Sequence, residues 1–490
     1  MPLIPALILS AVGGLITNWA FPYHSWWFLA PIGLAALIIA IKGQRARRAF
    51  LLGFVWGMGF FVPLLYWSLH SVGQWVPWIA LSALQALFVA AFAAASSFIN
   101  GRLPRGGAVA TILLWVAFEQ LRSVFPFGGF PWGLLAFSQT EGPLLPLAAV
   151  GGTVLVSGIV ALAAVSLALL VRLRPSGLVY GALSVGIAVG GSLFPPDPQA
   201  EDGTLRIAVV QGNVPERGRE ALGVAREITA NYRAIVEDGA PWDADLMVWP
   251  ESAADIDPRS DASVEADVRA AQAAAGIPIL LGTQRFVDDV RYNEYILWDE
   301  DGSRDAYAKQ HPVPFGEYIP YRDFFRKLHS AVDRVSTDMA AGSQPAIMHV
   351  PGVGVDLGTA ICFEVAYDGL MRESVELGAQ ALIVPTNNAS FGFTQEATQQ
   401  LAKTRFRAVE HARAAIQVST VGVSAVFAPN GSVMAQSGEL YTEWSTIQEI
   451  PLRSSMTLAT TLGDIPRILV WVASGLWLGT AFVRKEKKVT

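Results

Sequence analysis

The stretch Leu357-Gly-Thr-Ala-Ile-Cys362-Phe-Glu364 decides how the second half of the chain is interpreted. It holds the only cysteine among the 490 residues. A β-prone run from Val353 to Ile361 leads directly into this cysteine, and a helix-like segment begins near Asp368. A thiol at the end of a strand is where an α/β enzyme places a nucleophile. Without partners, however, a lone cysteine is more often an inert, buried small hydrophobe, so other residues must supply a base and an oxyanion site.

The composition of the chain is typical of a membrane protein. Hydrophobic residues make up 52%, charged residues 16%, and the mean hydropathy is +0.40. A soluble domain carries about 25% charged residues. The formal net charge is −6, so no basic field favours a nucleic-acid partner. With one cysteine the chain has no intrachain disulfide, and its compartment has to be inferred from the membrane topology instead.

Eight apolar stretches have roughly the length of a membrane span. They are Leu3–Phe21, Ser25–Ile41, Phe50–Leu69, Trp75–Ile99, Ala108–Val124, Leu144–Val171, Gly177–Phe194 and, after a long gap, Ile465–Val483. The first has no basic segment before it and no clear cleavage site, so we interpret it as a retained span and not as a signal peptide.

Basic residues in the connections predict the orientation. They follow every even-numbered span: Lys42, Arg45, Arg47 and Arg48; Arg102 and Arg105; Arg172 and Arg174; and Arg484, Lys485, Lys487 and Lys488. Connections after the odd-numbered spans carry little positive charge. Both termini are therefore expected in the cytoplasm, and the long segment between spans seven and eight outside it.

Two charges interrupt the fifth span. Glu119 and Arg122 are three residues apart and share one helical face, where they either pair with each other or serve a function. The segment Phe125-Pro-Phe-Gly-Gly-Phe-Pro-Trp132-Gly follows them. Its glycines and prolines break the helix, and its aromatic residues suit either a re-entrant loop that faces a lipid headgroup or an interfacial belt.

The segment between spans seven and eight is predicted to form an α/β domain. We assign residues 1–194 to seven spans, 195–204 to a linker, 205–455 to the domain, 456–464 to a second linker, 465–483 to the eighth span and 484–490 to a basic tail. Strands and helices alternate in the domain. The strands are Leu205–Gln211, Leu246–Trp249, Ile277–Gly282, Arg291–Trp298, a run before Lys309, Val353–Ile361, Ala381–Pro385, Ala415–Val421 and Val423–Ala428. The helices are Arg219–Asp238, Asp261–Ala275, Asp368–Leu377 and Glu396–Ala412. The last two strands suggest that part of the sheet is antiparallel.

Three polar residues follow predicted strands: Glu251, Lys309 and Cys362. A carboxylate can take the thiol proton, and an ammonium can stabilise both a thiolate and an oxyanion. Together the three can carry out acyl transfer through a thioester. Alone, Glu251 could cap a helix and Lys309 could be a solvated surface charge. The histidines have no metal-ligand spacing, so no metal and no cofactor are predicted.

The motifs around these residues carry a family resemblance. Val-Trp-Pro-Glu251, Tyr-Ala-Lys309 followed by Pro-Phe-Gly-Glu317, and Ile-Cys362-Phe-Glu364 resemble the Glu-Lys-Cys triad of the nitrilase, or carbon–nitrogen hydrolase, superfamily. The whole chain is similar to its apolipoprotein N-acyltransferase branch. That branch places the catalytic domain outside the bacterial inner membrane, between seven N-terminal spans and one C-terminal span.

The resemblance implies a nitrilase-like αββα sandwich and a ping-pong reaction. Cys362 would attack the sn-1 ester of a membrane phospholipid, and the α-amine of a diacylglyceryl apolipoprotein would then take the acyl chain. Glu251 would be the general base and Lys309 part of the oxyanion site. Glu317 would orient Lys309 or the amine, and Glu364 would support the pocket. Trp132, Tyr318, Asn388 and Phe391 are further candidates for support or substrate binding. A monomer is expected.

The chain departs from the family pattern at several positions. Phe363 stands where the family usually has tyrosine, and Asn388 and Ser390 replace an aspartate and a tryptophan. The insertion Tyr318–Gln344 mixes aromatic and basic residues, as expected either of an arm on a membrane surface or of an ordinary surface helix. A membrane-tethered amidase that uses water as acceptor is the main alternative function, and a non-catalytic scaffold is a third.

Overall fold

The structure is a computed structural model that describes residues 1–214 and 225–484. The chain divides into a helical unit, made of residues 1–69, 74–195 and the segment from Thr461 onward, and an α/β unit, made of residues 70–73 and 196–460. Residues 219–224 of one predicted helix and residues 485–490 of the predicted tail lie outside the described residues. The remainder of that helix is present as Ala225–Gly239.

All eight predicted spans are helical. The helices of this unit are α1 (Leu3–Trp19), α2 (Leu29–Ile41), α3 (Ala46–Leu64), α4 (Trp67–Val72, partly in the other unit), α5 (Trp75–Arg102), α6 (Gly107–Arg122), α7 (Ala148–Leu170), α8 (Ser176–Ser192) and α15 (Ile465–Val483). Four helical stretches in the described residues are long and apolar enough to cross a membrane: Ala46–Leu64, Trp75–Arg102, Leu145–Leu170 and Ile465–Val483. α1, α2 and α8 are shorter apolar helices. The eight-span topology stays a prediction.

Small residues bring α3 close to its neighbours. A Cβ atom on Gly14 of α1 would lie 2.1 Å from the backbone oxygen of Trp56, and one on Gly57 would lie 2.6 Å from the Cα of Ala86 on α5. Small residues allow helix backbones to approach in an environment where no hydrophobic effect drives their association. Contacts this close explain why Gly14 and Gly57 stand inside the apolar helices α1 and α3.

Glu119 and Arg122 bind the backbone of the aromatic segment that follows α6. The Oε1 atom of Glu119 accepts a hydrogen bond from the Leu135 N–H at 2.8 Å. The guanidinium of Arg122 donates to the carbonyls of Phe130 at 2.8 Å and Trp132 at 2.6 Å. Both charges therefore fix this segment to the end of α6, a role that the sequence did not reveal.

The α/β unit contains two six-stranded sheets. The strand order is β12-β1-β2-β3-β4-β5 in the first and β11-β10-β9-β8-β7-β6 in the second. The strands are β1 (Thr204–Gln211), β2 (Leu246–Val248), β3 (Ile279–Val287), β4 (Val290–Asp299), β5 (Gly302–Ala308), β6 (Ile347–Val350), β7 (Val355–Thr359), β8 (Ala381–Thr386), β9 (Ala414–Ser419), β10 (Ala425–Phe427), β11 (Val433–Gln436) and β12 (Trp444–Pro451). The predicted antiparallel closing pair is confirmed, because Ala425 pairs with Gln417.

Two clusters of buried hydrophobic residues pack against these sheets. One core contains inward-facing residues of both sheets, among them Ile207 and Val248 from the first and Leu357 and Ile383 from the second. A second cluster joins the outer face of the first sheet to α9 (Ala225–Gly239) and α10 (Ala262–Ala275). α12 (Asp368–Glu376) and α13 (Glu396–His411) contact the second sheet. The order helix, sheet, sheet, helix is the predicted αββα sandwich. The short helix α11 (Arg322–Leu328) also lies in this unit, and α14 (Leu458–Leu462) begins in it and ends in the helical unit.

Candidate active site

The three predicted catalytic residues lie together beyond the ends of three strands. Glu251 follows the parallel strand β2, Cys362 follows the parallel strand β7, and Lys309 directly follows β5. The Lys309 ammonium lies 3.9 Å from a carboxylate oxygen of Glu251. Both charges shift the pKa of the Cys362 thiol. Sites of open α/β sheets form beyond the carboxyl ends of parallel strands, and this site follows that rule.

Cys362 begins a one-turn 3-10 helix, Cys362–Ala366, with a φ of +57°. A non-glycine residue in the left-handed region costs about 1 kcal/mol or more, which the surrounding structure has to hold in place. The thiol belongs to a half-buried residue. Burial raises its pKa well above the ordinary value, the Glu251 carboxylate adds to the rise, and Lys309 opposes it. The resting group is therefore a thiol, and it needs a base to become a nucleophile.

Glu251 is buried, and two hydrogen-bond donors hold its carboxyl in place. Its Oε1 accepts a hydrogen bond from the Asn293 side chain at 2.5 Å, and its Oε2 accepts one from the backbone N–H of Asn387 at 2.7 Å. Burial raises its pKa, and Lys309 opposes that rise. Such a carboxyl takes up a proton more readily than an exposed glutamate does.

Lys309 is a fully buried cation with a close counter-ion. Its Nζ lies 2.6 Å from Oε1 of Glu317, whose Oε2 accepts a hydrogen bond from the Val313 N–H at 2.6 Å. Burial disfavours the ammonium, but the carboxylates of Glu317 and then Glu251 raise the pKa of Lys309 above its ordinary value. Lys309 therefore remains a charged donor beside the thiol.

Glu364 connects the segment after β5 to the nucleophile turn, which is the 3-10 helix Cys362–Ala366. Its carboxyl accepts hydrogen bonds from the N–H groups of Gln310 at 2.7 Å, His311 at 2.9 Å and Ile361 at 2.8 Å. The Tyr307 hydroxyl lies 3.0 Å from both oxygens. Burial raises the pKa of Glu364 to about 7. Four donors share its two oxygens, where the carboxyl of Glu251 has two donors. Glu364 therefore connects the Lys309 and Cys362 segments and has less capacity than Glu251 to take the thiol proton.

Arg407 of α13 holds the nucleophile turn from behind. Its buried guanidinium donates to the carbonyls of Val365 and Ala366, both at 2.9 Å. It also forms ion pairs with Asp368 and Glu410. The sequence did not identify this residue, because nothing in the run Thr404-Arg-Phe-Arg407 indicates which arginine turns inward.

The other predicted supporting residues have different surroundings. Asn388 is buried and accepts a hydrogen bond from Thr386 at 3.0 Å. Phe391 lies in the short helical turn Ala389–Phe391, and the carbonyl of Tyr318 accepts a hydrogen bond from the Phe315 N–H at 2.7 Å. Trp132 is buried in the helical unit. The roles of these four residues toward a substrate stay predictions.

Asn293 and Tyr307 are site residues that the sequence did not reveal. Each lies on a strand of the first sheet, β4 or β5, and each binds a carboxylate of the site. The available signal was weak: Asn293-Glu294 places two polar residues directly before the buried run of residues 295–298 in β4. Predicting their partners would have required the register between strands.

The Tyr318–Gln344 insertion contains α11 and a short turn, Ser330–Arg334. Phe324 and Leu328 of α11 are exposed. Its arginines are engaged within the insertion, Arg322 with Asp338 and Arg326 with Asp333. Exposed apolar side chains suit the predicted membrane arm, which remains a prediction.

The comparisons with known proteins agree with this geometry. Residues 206–455 match the family model described as carbon-nitrogen hydrolase, and residues 13–166 match that of the apolipoprotein N-acyltransferase N-terminal domain. A solved mutant of a nitrilase-superfamily amidase from Nesterenkonia is 17% identical and aligns with 56% of this chain and 99% of its own, at a TM-score of 0.40. The family-model match over residues 206–455 defines this part of the chain as a carbon–nitrogen hydrolase domain, and the chain also contains a unit of apolar helices.

Two full-length relatives identify the branch. The chain is 36% identical to the apolipoprotein N-acyltransferase of Mycolicibacterium smegmatis, over 96% of this chain and 84% of that protein. It is 30% identical to the corresponding protein of Pseudomonas paraeruginosa, over 96% of this chain and 94% of that protein. The chain belongs to the apolipoprotein N-acyltransferase family.

Proposed function

We propose that the chain transfers a fatty acyl chain from a membrane phospholipid, through a thioacyl group on Cys362, to the α-amine of the diacylglyceryl-cysteine that begins an apolipoprotein. The observation that carries this proposal is the buried cluster of Glu251 and Lys309 beside a thiol whose pKa burial raises. A thiol of this kind reacts only when a base and a cation assist it. Family membership supports the acyl donor and acceptor.

Glu251 is the carboxylate best placed to act as the base. Both oxygens of Glu364 are saturated by backbone donors, and Glu317 is committed to Lys309 and to the Val313 N–H. Among the described residues, Glu251 accepts only two hydrogen bonds, has a raised pKa, and unlike Glu364 and Glu317 is among the charges that act on the thiol. A base of raised pKa is better matched to a thiol than an ordinary carboxylate is.

In the first half-reaction Glu251 takes the proton of Cys362, and the thiolate attacks the ester carbonyl of the phospholipid. The buried Lys309 ammonium stabilises the oxyanion that forms. Collapse breaks the ester C–O bond, and the leaving alcohol takes the proton from Glu251. The products are a lysophospholipid and the thioester.

In the second half-reaction the amine attacks the thioester carbonyl. Glu251 takes a proton from the attacking nitrogen, the C–S bond breaks, and the thiolate recovers a proton from Glu251. The amide product leaves with the third acyl chain, and the thiol is regenerated. The same carboxyl is therefore base and then acid in each half-reaction.

The membrane arrangement is part of the proposal. Basic residues after every even-numbered span support cytoplasmic termini and a catalytic unit on the outer side of the bacterial inner membrane. A nucleophile that serves lipids has to remain near the bilayer, and helices before and after the α/β unit would keep it there. We expect a monomer that needs neither a metal nor a cofactor.

Radiolabelled phospholipid tests the reaction directly. The purified protein is incubated in vesicles with a donor labelled in its sn-1 acyl chain, and a synthetic diacylglyceryl lipopeptide with a free α-amine is then added. We expect hydroxylamine-sensitive label on the protein that moves to the lipopeptide, and no label on the Cys362→Ala variant. An exposed control such as Glu373→Gln should behave like the wild type.

The alternatives predict other outcomes. Release of the label only as free fatty acid would support a membrane-tethered hydrolase and contradict the transferase. A scaffold without catalysis predicts that Cys362→Ala cells still carry fully acylated lipoproteins. Mass spectrometry of lipoprotein N-termini from such cells would decide that question.

A further inference from the structure

A second buried carboxylate lies beside the thiol and is not used by the mechanism above. Glu396 is the first residue of α13 and is 2% exposed. Its Oε2 atom is buried and, among the described residues, has no hydrogen-bond partner. A buried carboxylate oxygen without a donor is costly, so its position calls for an explanation.

Gln400 lies one helical turn after Glu396 and has a buried donor, where Glu396 has a buried acceptor, without a hydrogen-bond partner in the part of the chain that the structure describes. Its side chain is fully buried, and its Nε2 donor likewise has no partner among the described residues. Residues four apart on a helix share a face, so the unmet acceptor and the unmet donor point to the same side of α13. The Oε1 of Gln400 accepts a hydrogen bond from Thr386 at 3.1 Å.

Thr386 connects this pair to the nucleophile. Its hydroxyl, which is hydrogen-bonded to Asn388 and Gln400, also lowers the pKa of the Cys362 thiol. Glu396 is close enough for its charge to raise the pKa of Cys362, and Glu251 acts on Glu396 in turn. Thr386 and the charge of Glu396 therefore link the unmet groups of Glu396 and Gln400 to the thiol.

We propose that Glu396 and Gln400 form the subsite for the acceptor, in which Glu396 binds and deprotonates the α-ammonium and Gln400 donates to the first peptide carbonyl of the acceptor. This inference rests on the proposed function. The ammonium gives one proton to the Glu396 carboxylate, and the amine so formed attacks the thioester carbonyl. Its second proton passes through Glu251 to the departing sulfur as the C–S bond breaks, and Glu396 then releases its proton to solvent.

The electrostatics of Glu396 suit an amine partner. Burial raises the pKa of Glu396 to about 8, Lys403 on the same helix opposes the rise, and Glu251 adds to it. An α-amino group has a pKa of about 7.7–8.0 in water. Donor and acceptor are therefore matched, so that a proton can move from the ammonium to the carboxylate without a large energetic cost.

The two half-reactions separate this role from a structural one. The protein is first loaded with an acyl chain from phospholipid, and the thioester is then offered either the lipopeptide amine or hydroxylamine, which is uncharged at neutral pH. We expect Glu396→Gln to load Cys362 and to react with hydroxylamine at least as fast as the wild type, because the loss of the Glu396 charge lowers the pKa of the thiol. Transfer to the lipopeptide should be about 10²-fold slower. Glu396→Asp should recover part of that loss.

The pH profile of transfer gives a second readout. Wild-type transfer should be bell-shaped near pH 8, because it requires an ionised Glu396 and a protonated amine. In Glu396→Gln the alkaline limb should disappear, since only the free amine then reacts. Lys403→Met should move the acidic limb to higher pH, because Lys403 lowers the pKa of Glu396.

Each outcome of these experiments is decisive. Equal slowing with both acceptors, or slowed loading, would make Glu396 a structural residue and overturn the subsite. Unchanged transfer to the lipopeptide would overturn it as well. If the wild-type thioester passes nothing to the lipopeptide, the proposed function itself has failed, and that result is distinct from a failure of the subsite.

Discussion

Replacing Gly282 with alanine should displace the general base without touching any catalytic side chain. Gly282 lies on β3, and Glu251 is the proposed general base. A Cβ atom on Gly282 would lie 2.6 Å from the Cα of Glu251, 2.7 Å from the backbone nitrogen of Ser252 and 2.8 Å from the carbonyl oxygen of Pro250. All three neighbours are backbone atoms, which cannot rotate away. Glu251 therefore has to move.

The size of the movement follows from these distances. Ordinary contacts of a Cβ atom begin at 3.4 Å, so the shortfall at Glu251 Cα is 3.4 − 2.6 = 0.8 Å. A misplacement of about 1 Å in a catalytic group can cost about 10²-fold in rate. The overpacking should also lower the free energy of unfolding by about 1–3 kcal/mol. Gly282 is on a regular strand, so alanine adds no backbone strain.

Acyl loading of Cys362 from phospholipid is the assay, measured together with thermal unfolding. Gly358→Ala is the matched control, because a Cβ atom on that strand glycine would crowd the side chains of Leu382 and Ser374, at 2.8 and 3.0 Å, and no backbone atom of Glu251. We expect similar destabilisation in both variants but a large loss of loading only in Gly282→Ala. Loading within about threefold of the wild type would refute the argument that the position of Glu251 limits the reaction.

Three further predictions concern the charges of the site. Arg407→Met should lower the free energy of unfolding by about 3–5 kcal/mol, because it leaves the buried Glu410 and the partner Asp368 without their cation; chemical denaturation checks this, and a loss below 1 kcal/mol would contradict it. Cys362 should react with iodoacetamide more slowly than a free cysteine at pH 7 and accelerate as the pH rises, because its pKa is raised and only the thiolate reacts; a fast reaction at pH 7 would show the opposite shift. Glu317→Gln should lower the pKa of Lys309, so that loading declines at a lower alkaline pH than in the wild type; superimposable pH–rate profiles would exclude this role of Glu317.

Glu251 and Cys362 could be predicted because each follows a buried, largely apolar strand, whereas Lys309 follows the largely polar strand β5 and was suggested by its motif, Tyr-Ala-Lys309. In Val-Trp-Pro-Glu251 and Ile-Cys362 the change from apolar to polar residues marks the edge of the sheet, and no packing information is needed to see it. The αββα arrangement followed from the alternation of strands and helices together with the family resemblance. β6, β11 and β12 were missed: two are only four residues long, and β12 pairs with β1 across more than 200 residues.

The residues that hold the triad in place could not be predicted, because their role depends on tertiary packing. Asn293 reaches Glu251 only in the observed strand arrangement, and Arg407 reaches the nucleophile turn only because α13 packs behind it. In the sequence both look like ordinary polar residues. The same applies to Glu396, which resembles a helix-capping acid until its burial is known.

Four carboxyl groups surround one thiol, and in water they would titrate almost alike. The fold separates them by the number of donors that each receives. Glu364 accepts bonds from three backbone groups and a tyrosine, which fixes it as a connector. Glu317 shares its oxygens between Lys309 and one backbone group, so it serves the cation. Glu251 keeps two donors and a raised pKa, as a reversible base requires, and Glu396, with one oxygen unmet, is the one with capacity left for a charged substrate. The number of hydrogen bonds that each carboxyl already accepts, more than its distance from the thiol, therefore determines which role each of these chemically identical side chains can take.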